Sequence, residues 1–113
     1  MRLTPTELDR LTIYTAAELA RRRLAKGWKL NHPEALAIIC DEMHEAARGG
    51  ASYQDVMTAG ASALTEDDVL GGVADLVPIV RIECLFDDGA RVVAVEQPIR
   101  AAPAAASNGR VTS

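Results

Sequence analysis

Apolar residues recur at helical spacing through the first part of the chain, and two helices open on strong capping signals. Thr4-Pro5-Thr6-Glu7 combines a capping threonine, a proline suited to the first turn and a glutamate three residues after the cap. Asn31-His32-Pro33-Glu34 repeats the same arrangement, with His32 expected in the turn. Glycines are then expected to end the two helices: Gly27 after Lys26, and Gly49-Gly50 after about Arg48.

Two shorter helices are predicted after these. Ser52 would cap a third helix that runs to about Ala63, with Asp55 in its first turn and Gly60 weakening its end. Thr65-Glu66-Asp67-Asp68 would open a fourth, short helix, because acidic residues are favoured at the positive end of the helix dipole. The pair Gly71-Gly72 is expected to end it.

The hydrophobic period changes from helical to alternating after Pro78. Val80, Ile82, Cys84 and Phe86 alternate with Arg81, Glu83 and Leu85, then Asp87-Asp88-Gly89 gives a turn signal and Arg91–Val95 a second strand. The predicted fold class is α+β: a four-helix N-terminal cluster followed by a C-terminal β-hairpin. We expect one domain over residues 1–100 and a low-complexity tail over 101–113.

The first helix carries two opposed apolar stripes. One stripe is Leu8, Leu11, Thr15 and Leu19, and the other is Ile13, Ala17, Ala20 and Leu24. A helix that packs on one core needs a single stripe, so one stripe is predicted to pack inside the chain and the other to lie at a subunit contact. The small alanines favour the second stripe for the tighter contact, but the sequence does not say which stripe faces inward. The alternative is that the second and third helices cover both.

The second helix has one broad apolar arc and one predicted polar face. The arc is Ala35, Leu36, Ile39, Cys40, Met43, Ala46 and Ala47. The polar face is Glu34, Asp41, Glu45 and Arg48, with Ile38 among them as an expected exposed residue.

Composition narrows the class of protein. The chain has 113 residues with 12 Lys+Arg against 16 Asp+Glu, so its net charge of −4 disfavours binding to nucleic-acid phosphates. No apolar run is long enough to span a bilayer, and Met1-Arg2-Leu3 leads into a charged helix without a secretory signal, so we expect a cytoplasmic protein. Cys40 and Cys84 are then expected to be buried, reduced thiols, although the sequence does not exclude a disulfide.

Few residues could carry chemistry. Cys40 and His44 stand four apart on the second helix with Asp41 or Glu45 nearby, but a structural zinc site needs four ligands and the chain offers no CxxC partner. A histidine at the edge of the core is the favoured interpretation of His44. Three clusters of carboxylates have structural interpretations. Asp41-Glu42-Glu45 is expected on a solvent-facing side, Glu66-Asp67-Asp68 at a helix start and Asp87-Asp88 in a turn.

One basic cluster lies at the end of the first helix and beyond it. It comprises Arg21-Arg22-Arg23, Lys26 and Lys29. Three consecutive arginines spread around a helix rather than forming one stripe, and cations are favoured at a helix C-terminus. Solvated or ion-paired side chains are the favoured interpretation. The alternative is a small helical nucleic-acid-binding or regulatory interaction module that uses these arginines.

Several motifs resemble the urease gamma subunit. They are Leu3-Thr4-Pro5-x-Glu7-x-Asp9-Arg10-Leu11, Gly27-x-Lys29-Leu30-Asn31-x-Pro33-Glu34-Ala35, Leu64-Thr65-x-Asp67-Asp68-Val69 and Val95-x-x-Pro98-Ile99. The resemblance covers residues 1–100 in order, with His32 standing where the family has a tyrosine.

The resemblance implies a structural subunit of the enzyme that hydrolyses urea to ammonia and carbamate. It implies alpha and beta partner subunits in a threefold-symmetric hetero-oligomer. It also implies that two nickel ions, bridged by a carbamylated lysine, lie on the alpha subunit. No catalytic, cofactor-binding or metal residue is therefore expected in this chain, and no nucleic-acid or membrane partner.

Overall fold

Three α-helices precede a two-stranded antiparallel sheet in the computed structural model, which describes residues 3–102. The helices are α1 (Pro5–Ala25), α2 (His32–Arg48) and α3 (Tyr53–Ala61). Two single-turn 3-10 helices, Glu66–Asp68 and Ala74–Leu76, lead into strands β1 (Ile79–Phe86) and β2 (Gly89–Glu96). The predicted α+β class is confirmed. In this part of the chain no helix is long and apolar enough to cross a membrane.

The two predicted capping boxes start α1 and α2. Thr4 Oγ1 accepts a hydrogen bond from the Glu7 amide at 3.1 Å, and Glu7 Oε1 accepts one from the Thr4 amide at 2.8 Å. Asn31 and Glu34 make the equivalent pair at 3.0 and 2.9 Å. The expected turn position of His32 is wrong, because the Asn31 cap makes it the first residue of α2.

The second helix lies at the centre of the fold, with α1 on one side and α3 and β1 on the other. Eight of its residues are buried, and they include Ile38 and Asp41. The predicted polar face is therefore wrong at both positions, because α1 covers the side that the helix pattern assigned to solvent. Glu45 and Arg48 do remain exposed, as expected.

The fourth helix is absent from the described residues, so the helical cluster has three α-helices and not four. The segment makes one 3-10 turn at Glu66–Asp68 and becomes extended at Val69. The reason lies in a short parallel bridge between Leu30 and Val69. The Leu70 amide donates to the Leu30 carbonyl at 2.9 Å, which takes that amide away from a continuing helix.

Gly60 sets how closely α3 approaches the core. A Cβ atom at this position would lie 2.8 Å from Met43 Sδ and 3.2 Å from Val95 Cγ2. Glycine is predicted to weaken the end of the helix, but at this position it also has a packing role. Only glycine lets α3 lie this close to α2 and β2. The helix ends at Ala61, two residues before the predicted Ala63.

We expect Gly60→Ala to destabilise the chain by about 1–2 kcal/mol. Overpacking costs about 1–3 kcal/mol, while alanine returns up to about 1 kcal/mol of helix propensity. Met43 is fully buried and has little room to move away. Urea unfolding would measure the change, with Gly71→Ala as the control because a Cβ there meets nothing within 4 Å. Equal stability of the two variants would show that α3 tolerates the added methyl group.

The predicted hairpin is confirmed, with Asp87 and Asp88 as its turn. Its register pairs Ile79 with Glu96 at one end and Phe86 with Gly89 at the other. Strand β1 packs on α2 and β2 packs on α3, so the hairpin gains the core contact that an isolated hairpin lacks. At its tip, the Arg91 guanidinium lies 4.5 Å from the centre of the Phe86 ring.

Candidate functional site

The two stripes of α1 have opposite environments. Ala17 and Ala20 are completely buried against α2, and Ile13 and Leu24 pack at the edge of the same core. The other stripe faces outward. Leu8, Leu11 and Leu19 expose 53, 51 and 47% of their surface. The alternative in which α2 and α3 cover both stripes is wrong for the described residues.

A groove of about 390 Å³ lies between the N-terminal half of α1 and the C-terminal half of α2. Its apolar lining comes from Leu3, Leu11 and Tyr14. Its ionisable lining residues are Glu7, Arg10, Asp41, His44, Glu45 and Arg48. The sequence singled out neither Tyr14 nor Arg10 for a functional site, because this groove forms only where two helices distant in sequence meet.

Asp41 is a buried carboxylate in the lining of this groove, with 4% of its surface exposed. Its Oδ2 accepts a hydrogen bond from Arg21 Nη2 at 2.8 Å. The same guanidinium also contacts Glu18 at 2.5 Å and Glu42 at 2.7 Å. Arg21 thus joins α1 to α2 and neutralises a charge that would be costly to bury alone.

Most of the other residues of the basic cluster at the end of α1 also contact groups within the chain. Arg23 forms an ion pair with Glu34, and Lys29 Nζ donates to the Asp67 carbonyl at 2.6 Å. The Lys26 ammonium lies 4.9 Å from the centre of the exposed Trp28 ring. Arg22 is exposed. Arg21, Arg23 and Lys29 therefore contribute to the α1–α2 interface and to the turn that follows α1.

Cys40 and His44, the candidate ligand pair, lie in environments that favour a neutral thiol and a hydrogen-bonded imidazole. Burial raises the pKa of Cys40 to about 11, so it remains a thiol at neutral pH, whereas metal binding and nucleophilic attack need the thiolate. His44 Nε2 lies 3.1 Å from the Glu83 carbonyl oxygen, which can only accept, so this nitrogen carries the proton.

Within residues 3–102, no group of three or more His, Cys, Asp or Glu side chains is placed to hold a metal ion. Cys40 and Cys84 are both buried and unbridged.

His44 is expected to make stability depend on pH. Burial lowers its pKa below the ordinary 6.5, against the opposing effect of the Glu83 carbonyl. The folded chain therefore binds the second proton, which charges the imidazole of His44, less readily than the unfolded chain does. The free energy of unfolding consequently falls as the pH drops below 6.5.

Urea unfolding at pH 7 and pH 5.2 would measure this loss of stability, and His44→Gln should reduce it. His32→Gln is the control. The pKa values of Glu7 and Glu34 are lowered from 4.5, so their contributions are lost at more acidic pH. If His44→Gln loses as much free energy of unfolding between pH 7 and pH 5.2 as the unchanged chain does, His44 is not the source of the pH dependence.

The carboxylate groups have structural partners. Asp68 Oδ2 accepts from the Thr65 amide at 2.8 Å, and Asp88 lies 3.6 Å from Arg91 in the hairpin. The expectation of a solvent-facing first group is wrong for Asp41. Glu45 is exposed and Glu42 half-buried.

The family model for "Urease, gamma subunit" matches residues 1–99. The chain belongs to the urease gamma subunit family. The resemblance drawn from the sequence motifs is confirmed, and the alternative of a nucleic-acid-binding or regulatory module has no support from these comparisons.

Relatives of two lengths share this family region. The chain is 55% identical over 100 residues to urease subunit gamma/beta of Pseudomonas syringae pv. syringae, a match that covers 88% of this chain and 43% of that protein. It is 50% identical over 100 residues to urease subunit gamma of Yersinia enterocolitica, again over 88% of this chain but over the whole of that protein. The chain thus spans less than half the length of the gamma/beta relative and the full length of the gamma relative.

Proposed function

We propose that this chain is a non-catalytic structural subunit of a urease, the enzyme that hydrolyses urea to ammonia and carbamate. The observation that carries the proposal is the family match over residues 1–99 together with 50% identity to a urease subunit gamma over that protein's whole length. The exposed leucines of α1 support it, since a subunit of a larger assembly is expected to expose apolar surface in isolation.

The described residues do not fit a nickel centre. His44 uses Nε2 in a hydrogen bond to the Glu83 carbonyl, and Cys40 is held as a neutral thiol. We therefore propose that no residue of this chain is catalytic, binds a cofactor or ligates a metal. The two nickel ions that the family implies would lie on the alpha subunit, where they would activate water and polarise the urea carbonyl.

We further propose alpha and beta subunits as partners in a threefold-symmetric, cytoplasmic hetero-oligomer. The gamma/beta name of the Pseudomonas relative supports a beta partner, because that protein carries both parts in one chain. Residues 1–100 would act as one domain followed by a tail over 101–113. Residues 103–113 of this tail lie outside the described part of the chain.

The purified chain alone is expected to retain no stoichiometric nickel and to release no ammonia from urea. Coexpression with the alpha and beta subunits should yield a complex that contains all three chains and hydrolyses urea. Elemental analysis, an ammonia assay and copurification would measure these properties. Urea hydrolysis by the isolated chain would overturn the non-catalytic role, and a failure to copurify with either subunit would overturn the urease assignment.

A further inference from the structure

Two buried thiols lie on elements of the core that pack against each other. Cys40 is part of α2 and Cys84 is part of β1, and neither is bridged. We propose that they form a redox-active pair, which a small-molecule disulfide converts into an intrachain disulfide that links α2 to β1. The inference concerns two residues of this chain, so it does not depend on the urease assignment.

The hydrogen bond between His44 and Glu83 places the two cysteines at one contact between the helix and the strand. His44 Nε2 lies 3.1 Å from the Glu83 carbonyl oxygen, which holds one turn of α2 against β1. Cys40 lies four residues before His44 and therefore faces the same way, one helical turn along α2. Cys84 follows Glu83 directly, in the inward-facing row of β1 that also contains the buried Phe86.

Electrostatics indicate that the two sulfur atoms are close to each other. Burial is the main cause of the raised pKa of Cys40, and the next is the charge that Cys84 would carry as a thiolate. That charge raises the pKa of Cys40 more than Asp41 does, although Asp41 is the next residue in the chain. Several residue pairs of α2 and β1 also have Cα atoms within 8 Å of each other. A disulfide needs about 4.4–6.8 Å between its Cα atoms, so a small approach of the helix to the strand is sufficient.

The two thiols differ in their access to solvent. Cys40 keeps 9% of its surface exposed, whereas Cys84 is completely buried, so a reagent from solvent meets Cys40 first. Cys84 Sγ finds one weak acceptor among residues 3–102, the Ile82 carbonyl oxygen of its own strand at 3.9 Å. Cys40 is therefore the entry thiol, and Cys84 is an inner thiol that no strong hydrogen bond holds in place.

The reaction consists of two successive thiol–disulfide exchanges. The Cys40 thiolate attacks one sulfur of oxidised glutathione, the S–S bond of the reagent breaks, and one glutathione leaves as a thiolate. The Cys84 thiolate then attacks Cys40 Sγ in this mixed disulfide and releases the second glutathione. Two electrons pass from the chain to the reagent, and the two thiol protons end on two molecules of reduced glutathione.

The experiment uses the full chain, purified in reduced form and incubated without denaturant with oxidised glutathione at pH 9, where thiolates are more abundant than at pH 7. We expect both thiols to be lost, the mass to fall by two hydrogen atoms, and digestion to yield one peptide pair joined through Cys40 and Cys84. The disulfide closes a ring that includes α3 and constrains the unfolded chain, so the oxidised chain should unfold at a temperature at least about 5 °C higher. By the same linkage, the equilibrium constant for disulfide formation should be at least tenfold larger in the folded chain than in urea.

Alanine substitutions test the two roles separately. Cys84→Ala should stop at the mixed disulfide on Cys40. Cys40→Ala should react at least tenfold more slowly than Cys84→Ala, because its remaining thiol is completely buried. Equal rates for the two variants would contradict the role of Cys40 as the entry thiol. The measurement on the unchanged chain does not require either variant to fold.

The unchanged chain decides the proposal. If the folded chain stays reduced or carries only glutathione adducts, the two thiols are not paired in the fold and the proposal is overturned; the chain in urea shows that the reagent is active. Disulfide-linked dimers on a non-reducing gel would overturn it as well, since the bond would then join two chains. A disulfide that lowers the unfolding temperature would show that the bond distorts the contact between α2 and β1, which contradicts a pair positioned by the fold.

Discussion

Ala17→Glu is expected to unfold the chain. Ala17 is completely buried where α1 lies against α2, so the glutamate would need both space and a partner for its charge. A buried unpaired carboxylate costs several kcal/mol, and overpacking adds about 1–3 kcal/mol. Small domains have about 5–15 kcal/mol of stability in total, so this one substitution removes most of it. Far-UV circular dichroism and thermal unfolding of the full chain would measure the loss.

The neighbouring substitution Ala16→Glu is the matched control. Ala16 lies on the exposed side of α1, so the same added side chain remains in water and should leave the unfolding temperature within a few degrees of the original. The pair therefore tests which stripe faces inward without changing the chemistry of the substitution. Equal loss of stability in both variants would mean that helix propensity, and not burial, decides the outcome.

The helix starts and the hairpin could be predicted because their causes are local in sequence. The Thr4 and Asn31 caps act on glutamates only three residues away, and the hairpin turn at Asp87-Asp88 follows a clear alternation. These signals depend on hydrogen bonds and side-chain periods within one element, so they remain visible without any knowledge of the rest of the fold.

The failed predictions depend on contacts between distant segments. Asp41 looked exposed on a wheel of α2 alone, and only the approach of Arg21 from α1 explains its burial. The prediction of a fourth helix failed because the Leu70 amide donates a hydrogen bond to the carbonyl of Leu30, forty positions earlier. Gly60 looked like a helix weakener because its role depends on Met43 in another helix.

The groove between α1 and α2 could not be predicted from the sequence for the same reason. The two stripes of α1 were visible in the sequence, but their environments were not, because the choice between them depends on the alanines fitting against α2. The groove residues Tyr14 and Arg48 belong to different helices, and no spacing rule connects them. The groove becomes recognisable only when the inward side of α1 has been identified.

Arg21→Ala is expected to lower the free energy of unfolding by about 2–4 kcal/mol. Removing one partner of a buried ion pair leaves an uncompensated charge, which costs about 3–5 kcal/mol when both groups are fully buried. The value here is smaller because the Arg21 side chain is 31% exposed, so water can reach part of the site. Urea unfolding at pH 7 would measure the change, and Arg22→Ala, at the exposed neighbouring arginine, should cost less than about 0.5 kcal/mol.

A second substitution separates the buried charge from lost packing of the arginine side chain. Asp41→Asn removes the carboxylate charge while it keeps the size of the side chain, so in the Arg21→Ala background it should restore about 1–2 kcal/mol. In the unchanged chain the same Asp41→Asn should instead be destabilising, because Arg21 loses its buried anionic partner. This reversal of sign is what an ion pair across the α1–α2 interface requires. A destabilising effect of Asp41→Asn in both backgrounds would show that Arg21 acts mainly through the packing of its hydrocarbon stem on α2.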